Sequence, residues 1–402
     1  MDTLVPFAEA RRRVVATARV VPAETVALAD VLGRTLAGPV ASAAALPPFD
    51  TSSMDGFAVR AADVAAAPVE LPVAATVYAG RVGGPLAPGT AVSVMTGAPL
   101  PPGADAVVPI EWTSRPSPGR VVVGRAAEPG RNVRRAGSAV GAGDVLLDGG
   151  AVVTPGAVGL LASVGVGRVE VRRRPRVAVV ATGDEIVAPG EPLGPGQIWD
   201  ANGPGLAAQV ERAGGVPVGP LVARDTDGDV AAALDASAGA DVVVFAGGVS
   251  VGEHDLVRAE LERRGVAWSF WRVRQRPGKP LAFGTLDGRP VVGLPGNPVS
   301  AAVCFEVYVR PLLAAMLGRP ARAGGAAERG VLAEPVAKAE GLHTFARVVA
   351  RREGGRLRLW PAGAQGSHVA RSLADADGLA HLPADWAEAP AGAEVDFERW
   401  AW

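Results

Sequence analysis

Asp241-Val-Val-Val-Phe-Ala-Gly-Gly-Val-Ser-Val-Gly-Glu-His-Asp255 is the stretch that decides how the chain folds. Val242 to Phe245 is an unbroken apolar run after an acid, the pattern of a strand buried on both faces of a parallel sheet. Gly247, Gly248 and Gly252 let the backbone turn sharply and admit a ligand close to the main chain. From about Asp255, the spacing of Leu256, Val257 and Leu261 predicts an amphipathic helix that stops near Gly265. A strand, a glycine-rich loop and a helix start together aim free N–H groups and the helix dipole at an anion. Ser250 adds a hydroxyl. Glu253 and Asp255 add carboxylates, which beside a phosphate call for a divalent cation. Taken alone, the stretch is equally a tight turn with Asp255 as helix N-cap.

Its surroundings decide between the two. Arg176 to Glu185 predicts a strand and loop, Asn202 to Ala213 a helix stopped by Gly214-Gly215, Val216 to Ala223 a second strand, and Val230 to Ala236 a helix. Trp268 to Arg274 and Leu281 to Gly284 add strands, with a hairpin turn at Asp287-Gly288. Val291-Val292 leads through Gly293-Leu-Pro-Gly-Asn-Pro298 into a long helix, Val299 to about Leu317, with a kink at Pro311. Strands alternating with helices predict a doubly wound parallel sheet over residues 175–322.

Toward the N-terminus, helices are expected over Pro6–Ala18 and Glu24–Leu36, and a short one over Ala157–Ala162. Residues 1–46 and 137–174 then form a helical or mixed linking domain. Between them, short runs broken by Pro and Gly (Leu71–Val77, Ala91–Met95, Val107–Ile110, Val121–Val123) predict a β-rich insert over 47–136. Strand-like runs at Phe345–Ala350 and Leu357–Trp360 predict a small β domain over 326–402.

Bulk properties narrow the function. The 402 residues exceed one core, and 49% apolar with 20% charged residues describes an ordinary globular composition. A net charge of −1 gives no basic footprint for nucleic acid. No secretory h-region and no uninterrupted apolar run of about 18 residues occur, so the cytoplasm is the expected compartment and no membrane association is expected. One cysteine, Cys304, excludes an internal disulfide or a multi-cysteine metal site. No Walker A or GxGxxG pattern is present, which argues against an ordinary ATPase or a nicotinamide enzyme.

Three predicted strands end in acids: Asp184 and Glu185, then Asp225 and Asp227, then Glu253 and Asp255. Ligands of open α/β sheets bind beyond such strand ends. Each pair alone is an ordinary cap or solvated loop, but three at equivalent ends form an oxygen-rich site suited to Mg²⁺ rather than zinc. Arg276 and Lys279, on the turn Arg276-Pro-Gly-Lys-Pro280, and Ser300, near a helix start, are candidate anion ligands. The residues themselves reach a Mg²⁺-dependent phosphate-ester enzyme and no further.

The sequence resembles the molybdopterin molybdenumtransferases, the MoeA family, whose eukaryotic relatives include part of gephyrin. Nearly the whole chain takes part: Pro47 to Arg60 with Met54-Asp-Gly56, Met95-Thr-Gly-Ala98, Thr182-Gly-Asp-Glu185, Gly247 to Asp255, Pro277-Gly-Lys-Pro280, Gly293 to Pro298 and Gln365-Gly-Ser-His368. The Gly247–Asp255 motif is shared with the adenylyltransferase of the preceding step; the Met54 and Gln365 segments are more specific. The resemblance implies a four-part subunit that forms a homodimer, with the cleft between the α/β domain and the other chain. It implies Mg²⁺, molybdate and adenylylated molybdopterin, with AMP released as molybdenum enters the dithiolene. An upstream molybdopterin adenylyltransferase and molybdoenzyme chaperones are the implied partners.

Carried over by position, Gly247, Gly248, Ser250, Gly252 and Asp255 would hold the pterin phosphate end, and Pro280, Pro295 and Asn297 would line the same site. Asp184, Glu185, Asp225 and Asp255 would serve Mg²⁺ and hydrolysis. Asp55 and Thr96 would reach across from the partner subunit. Arg276, Lys279, Ser300, Arg347 and Ser367 would meet molybdate. Two departures stand out: Ser138-Ala139 replaces the Glu-Asp usual after Arg134-Arg-Ala-Gly137, and Arg276 replaces a lysine, whose ammonium a guanidinium does not reproduce. Two rival functions fit less of the sequence. An adenylyltransferase would need only the α/β domain, and a non-catalytic scaffold would need no acid cluster.

Overall fold

A computed structural model describes residues 2–248, 256–320 and 328–400. Seven strands form the α/β sheet, in the order Asp2–Val5, Ala267–Val273, Ala282–Leu286, Arg289–Leu294, Val242–Ala246, Arg176–Thr182, Val216–Ala223. The last four are parallel to one another. Val242–Ala246 lies among them with every residue buried. Val242, Val244 and Ala246 face one core with the helix Asn202–Arg212, while Val243 and Phe245 face another with Asp227–Ala236 and Leu256–Arg263. The strand is apolar throughout because both of its faces are covered.

The sheet is not parallel throughout. Ala282–Leu286 runs antiparallel to both neighbours, since Asp287 and Gly288 have positive φ and close a two-residue hairpin. Asp2–Val5, absent from the sequence expectations, adds a parallel strand at the edge beside Ala267–Val273. The N-terminal helix Phe7–Val15 packs Ala10 and Val14 into the same core. The first segment thus joins the α/β unit rather than the linking region.

The predicted helix over Glu24–Leu36 is replaced by a strand, Ala23–Ala27, and one 3-10 turn, Leu28–Asp30. Thr25 and Val26 sit opposite Glu170 and Val169 in an antiparallel pair. Long-range pairing of these β-branched residues wins over a weak helical period. The short helix occurs as Pro155–Ser163, capped by Thr154 with Pro155 in its first turn.

The insert holds a six-stranded sheet, in the order Ala106–Pro109, Gly56–Val59, Ala91–Val94, Val69–Val77, Arg120–Val123, Thr113–Ser114. At the C-terminus, His343–Glu353, Arg356–Pro361, Glu328–Leu332, Glu394–Arg399 and Gly378–Leu382 close on themselves like a small barrel. Gln275–Arg276 pairs with His343–Thr344 and joins this barrel to the α/β unit.

The long helix Pro298–Met316 is apolar enough to cross a membrane, but most of it is buried in the core. Its irregularity lies just ahead of Pro311, as a π turn at Phe305–Val309. Pro311 has no N–H to donate, and the wider turn absorbs the mismatch.

Candidate active site

A cavity of about 500 Å³ opens beyond the carboxyl ends of the four parallel strands. Thr182, Gly183 and Glu185 line it from the end of Arg176–Thr182, Asp225 follows Val216–Ala223, and Gly247 and Gly248 follow Val242–Ala246. Pro295, Gly296, Asn297 and Pro298 follow Arg289–Leu294, and Pro280 completes this side. Chain order reverses around Arg176–Thr182, so the cavity sits at the topological switch point.

Two glycines are dictated by crowding. Gly247 has φ +95°, and a Cβ there would lie 2.7 Å from the Thr182 carbonyl oxygen; at Gly248 it would collide with Val257. Any side chain would push the loop off the strand ends.

The acids gather on the opposite strands. Asp184 Oδ1 accepts from the Asp225 backbone N–H at 3.1 Å. Burial first, then the charges of Asp184 and Glu185, raise the Asp225 carboxyl above its ordinary value. That mutual repulsion is the state a cation would relieve, and an all-oxygen donor set suits Mg²⁺. Among the described residues, no three acids, histidines or cysteines already converge as a preformed metal cluster. Asp255, Ser250 and Gly252 lie outside the described residues.

The predicted anion ligands divide. Arg347 is 1% exposed. Its Nε donates to Ser372 Oγ at 3.0 Å, and Nη2 donates to the carbonyls of Ala364 and Gly366, both at 3.2 Å. Burial, then nearby Arg276, pulls its guanidinium down to about 10. Arg276 is exposed, and Ser367 follows Gly366 on the same turn. Lys279 is exposed on the turn that carries Arg276 at one end and cavity-lining Pro280 at the other. That turn links the acid cavity to the arginine pair across at most about 14 Å of chain. Ser300 is buried in the first helical turn and does not line the cavity, contrary to its expected exposure to an anion.

Asp55 and Thr96 stand apart from the cavity of their own chain. Asp55 Oδ1 accepts from Thr96 N–H at 2.7 Å and from Thr96 Oγ1 at 2.8 Å. The backbone bond first, then the hydroxyl, lowers the Asp55 carboxyl. Gly56 makes the position possible, since any Cβ there would collide with the Val108 carbonyl.

Residues 5–165 match the family described as MoeA N-terminal region (domain I and II). Residues 178–315 match the probable molybdopterin binding domain, and 329–400 the MoeA C-terminal region (domain IV). Molybdopterin molybdenumtransferase 2 of Mycobacterium tuberculosis is 40% identical over 387 residues, covering 92% of this chain and 93% of the relative. The chain belongs to the molybdopterin molybdenumtransferase family. The Haemophilus influenzae molybdopterin molybdenumtransferase is 35% identical, with 92% of each chain covered. A crystal structure of the molybdopterin biosynthesis moeA protein of Pyrococcus horikoshii superposes with a TM-score of 0.82 at 34% identity, covering 98% of this chain and 99% of that one.

Within this molybdopterin molybdenumtransferase chain, several site residues escaped the sequence reading. Gln365 brackets the Arg347 backbone, accepting from its N–H at 2.9 Å and donating to its carbonyl at 3.1 Å. Ser372 orients the guanidinium. Asn202 donates to the Gly296 carbonyl at 2.7 Å and joins two cavity walls. Ile186, Ile198 and Trp199 give the cavity an apolar side. Gln365 lay inside a quoted motif; the others carried no local signal.

Proposed function

We propose that this chain inserts molybdenum into molybdopterin by hydrolysing adenylylated molybdopterin, releasing AMP and transferring molybdate to the dithiolene. The observation that carries this reading is the pairing of two sites. An acid and glycine-rimmed cavity is joined through Arg276–Pro280 to a buried arginine whose side-chain partners among the described residues are all uncharged. The first suits a phosphoanhydride with a divalent cation, the second a tetrahedral oxyanion.

Asp184, Glu185 and Asp225, with Asp255, would hold Mg²⁺. When bound, the ion neutralises charge on the phosphate oxygens. Gly247 and Gly248 admit the phosphate close to the main chain, while Pro295 and Asn297 bound its far side. Glu185, on the cavity wall, is the group to take a proton from the attacking water. Water adds at phosphorus, the bridging oxygen departs, AMP leaves, and molybdopterin retains its own phosphate. Arg347, Arg276, Lys279 and Ser367 hold molybdate near the dithiolene, with Ser372 and Gln365 fixing Arg347.

The chain would work as a homodimer, with Asp55 and Thr96 of each subunit completing the other's cleft. It would act in the cytoplasm, receive its substrate from a molybdopterin adenylyltransferase and pass product to molybdoenzyme chaperones. Molybdate-dependent AMP release by the purified protein, compared with Glu185→Ala, tests the reading.

A further inference from the structure

Two features of the cavity are used by neither the acids nor the arginines. Trp199 and Ile198 line it while each remains 54% exposed. The indole is held in place: its Nε1–H donates to the Glu191 carbonyl at 2.8 Å, and its backbone pairs with Ile186–Val187. The second feature is Thr182, whose Oγ1 is buried without a hydrogen-bond partner among the described residues, although the residue lines the cavity. Gly247 and Gly248 pack closely over this hydroxyl, since an added Cβ would lie 2.9 and 2.7 Å from it. Of the two, the fixed, solvent-facing indole is the one a ligand in the cavity can reach, and it offers a flat aromatic surface.

The kind of ligand follows from the walls. Metal ions and oxyanions gain nothing from Ile186, Ile198, Pro280, Pro295 and Pro298. A planar ring does, because an indole offers it a π face and the aliphatic side chains exclude water from its edges. About 500 Å³ is enough for a fused ring together with a phosphate. Asn202, three residues after Trp199, ties this wall to the Gly296 loop and so keeps the slot at a set width.

We propose that Trp199 is the stacking platform for a fused heteroaromatic ring of the substrate, a purine or a pteridine. This deepens the reading given above and rests on it, since adenylylated molybdopterin carries one ring of each kind.

The test measures dissociation constants by calorimetry for AMP, for a phosphorylated pterin and for ribose 5-phosphate, on the full-length wild type, Trp199→Ala and Trp199→Phe. The expected result is that Trp199→Ala weakens one of the two ring compounds by roughly 10-fold or more, as loss of an aromatic stack does. Trp199→Phe should restore most of that affinity, ribose 5-phosphate should be unaffected, and the compound that responds identifies the ring. Equal affinity of wild type and Trp199→Ala for both ring compounds would overturn the role of Trp199 and leave the transferase reading standing. A wild type that binds neither compound would overturn both. Sedimentation of Trp199→Ala as a smaller species, with unchanged ring affinity, would make the indole a subunit contact and would likewise overturn the proposal.

Discussion

Arg347 Nε donates to Ser372 Oγ at 3.0 Å, and this bond helps hold a guanidinium that is almost wholly buried. Its remaining side-chain partners are backbone carbonyls, and the charge it feels most is the repulsion of Arg276. A buried cation without a counter-charge is costly, and a bound anion offsets that cost.

Replacing Arg347 should therefore hurt binding more than folding. Arg347→Met is expected to weaken molybdate at least about 30-fold, the effect of deleting one member of a buried charged pair. Its unfolding midpoint should stay level or rise, because an apolar side chain replaces an unpaired charge. Ser372→Ala should weaken molybdate several-fold. The wild-type affinity should also fall as pH rises through about 10, where Arg347 loses its proton. Calorimetric titration with molybdate across pH reads the three affinity changes, and thermal unfolding reads the midpoint.

Arg310 behaves in the opposite way. Its Nε donates to Glu306 at 2.7 Å and its Nη2 to Glu398, while Gln209 Nε2 donates to Glu306 at 2.9 Å. The cluster joins the long helix to the helix Asn202–Arg212 and to the C-terminal barrel. Arg310→Met would strip the buried carboxylates of Glu306 and Glu398 of their shared guanidinium, with His381 remaining beside Glu398, and should cost about 3–5 kcal/mol in urea unfolding. Adding Glu306→Gln to that variant should recover part of the loss.

His343 predicts an acid-side weakness. Burial first, then His381 and Lys338, lower its imidazole to about 3, with Asp396 opposing, and its ring packs on Phe7 and Phe345. The folded protein keeps it neutral while the unfolded chain protonates near pH 6.5, so the unfolded state binds the extra proton between those values. The neutral form's advantage is complete above about 6.5 and drains away as pH falls toward 3. His343→Phe should flatten this part of the stability profile by roughly 2–4 kcal/mol.

How much of this was legible in the sequence differs from element to element. Val242–Ala246 announced itself because burial on both faces leaves an unbroken apolar run. The glycines after it were legible because crowding permits nothing larger. Ala23–Ala27 was not, since its pairing partner lies far along the chain and its own residues fit a helical period equally well. Asp2–Val5 was missed for the same reason. The acids at the strand ends were found by their equivalent positions. The pairing of Gln275–Arg276 with His343–Thr344 brings Arg276 close enough for its charge to act on Arg347, a register no local pattern encodes. Trp199 carries no local signal, and only the fold brings it into the same cavity as Thr182.

The proposed sharing of the cleft between subunits makes a prediction about mixed dimers. Asp55 is fixed by Thr96 outside its own chain's cavity, and on the proposed arrangement an Asp55→Asn subunit and a Glu185→Ala subunit carry complementary lesions. Each homodimer should be inactive. Co-expressed at equal levels, the two should regain about a quarter of wild-type activity, because each mixed dimer has one intact site. Activity no higher than that of either homodimer would place Asp55 and Glu185 in the same subunit's site.

The most direct measurement is release of AMP from adenylylated molybdopterin by the purified protein, with and without molybdate and Mg²⁺, beside Glu185→Ala. The expected result is prompt release that needs molybdate and Mg²⁺, accompanied by molybdenum bound to the pterin, and a loss of about 100-fold or more in the variant, as removal of a catalytic acid–base group brings. Bound substrate that stays intact under all these conditions, or release undiminished in Glu185→Ala, would contradict it.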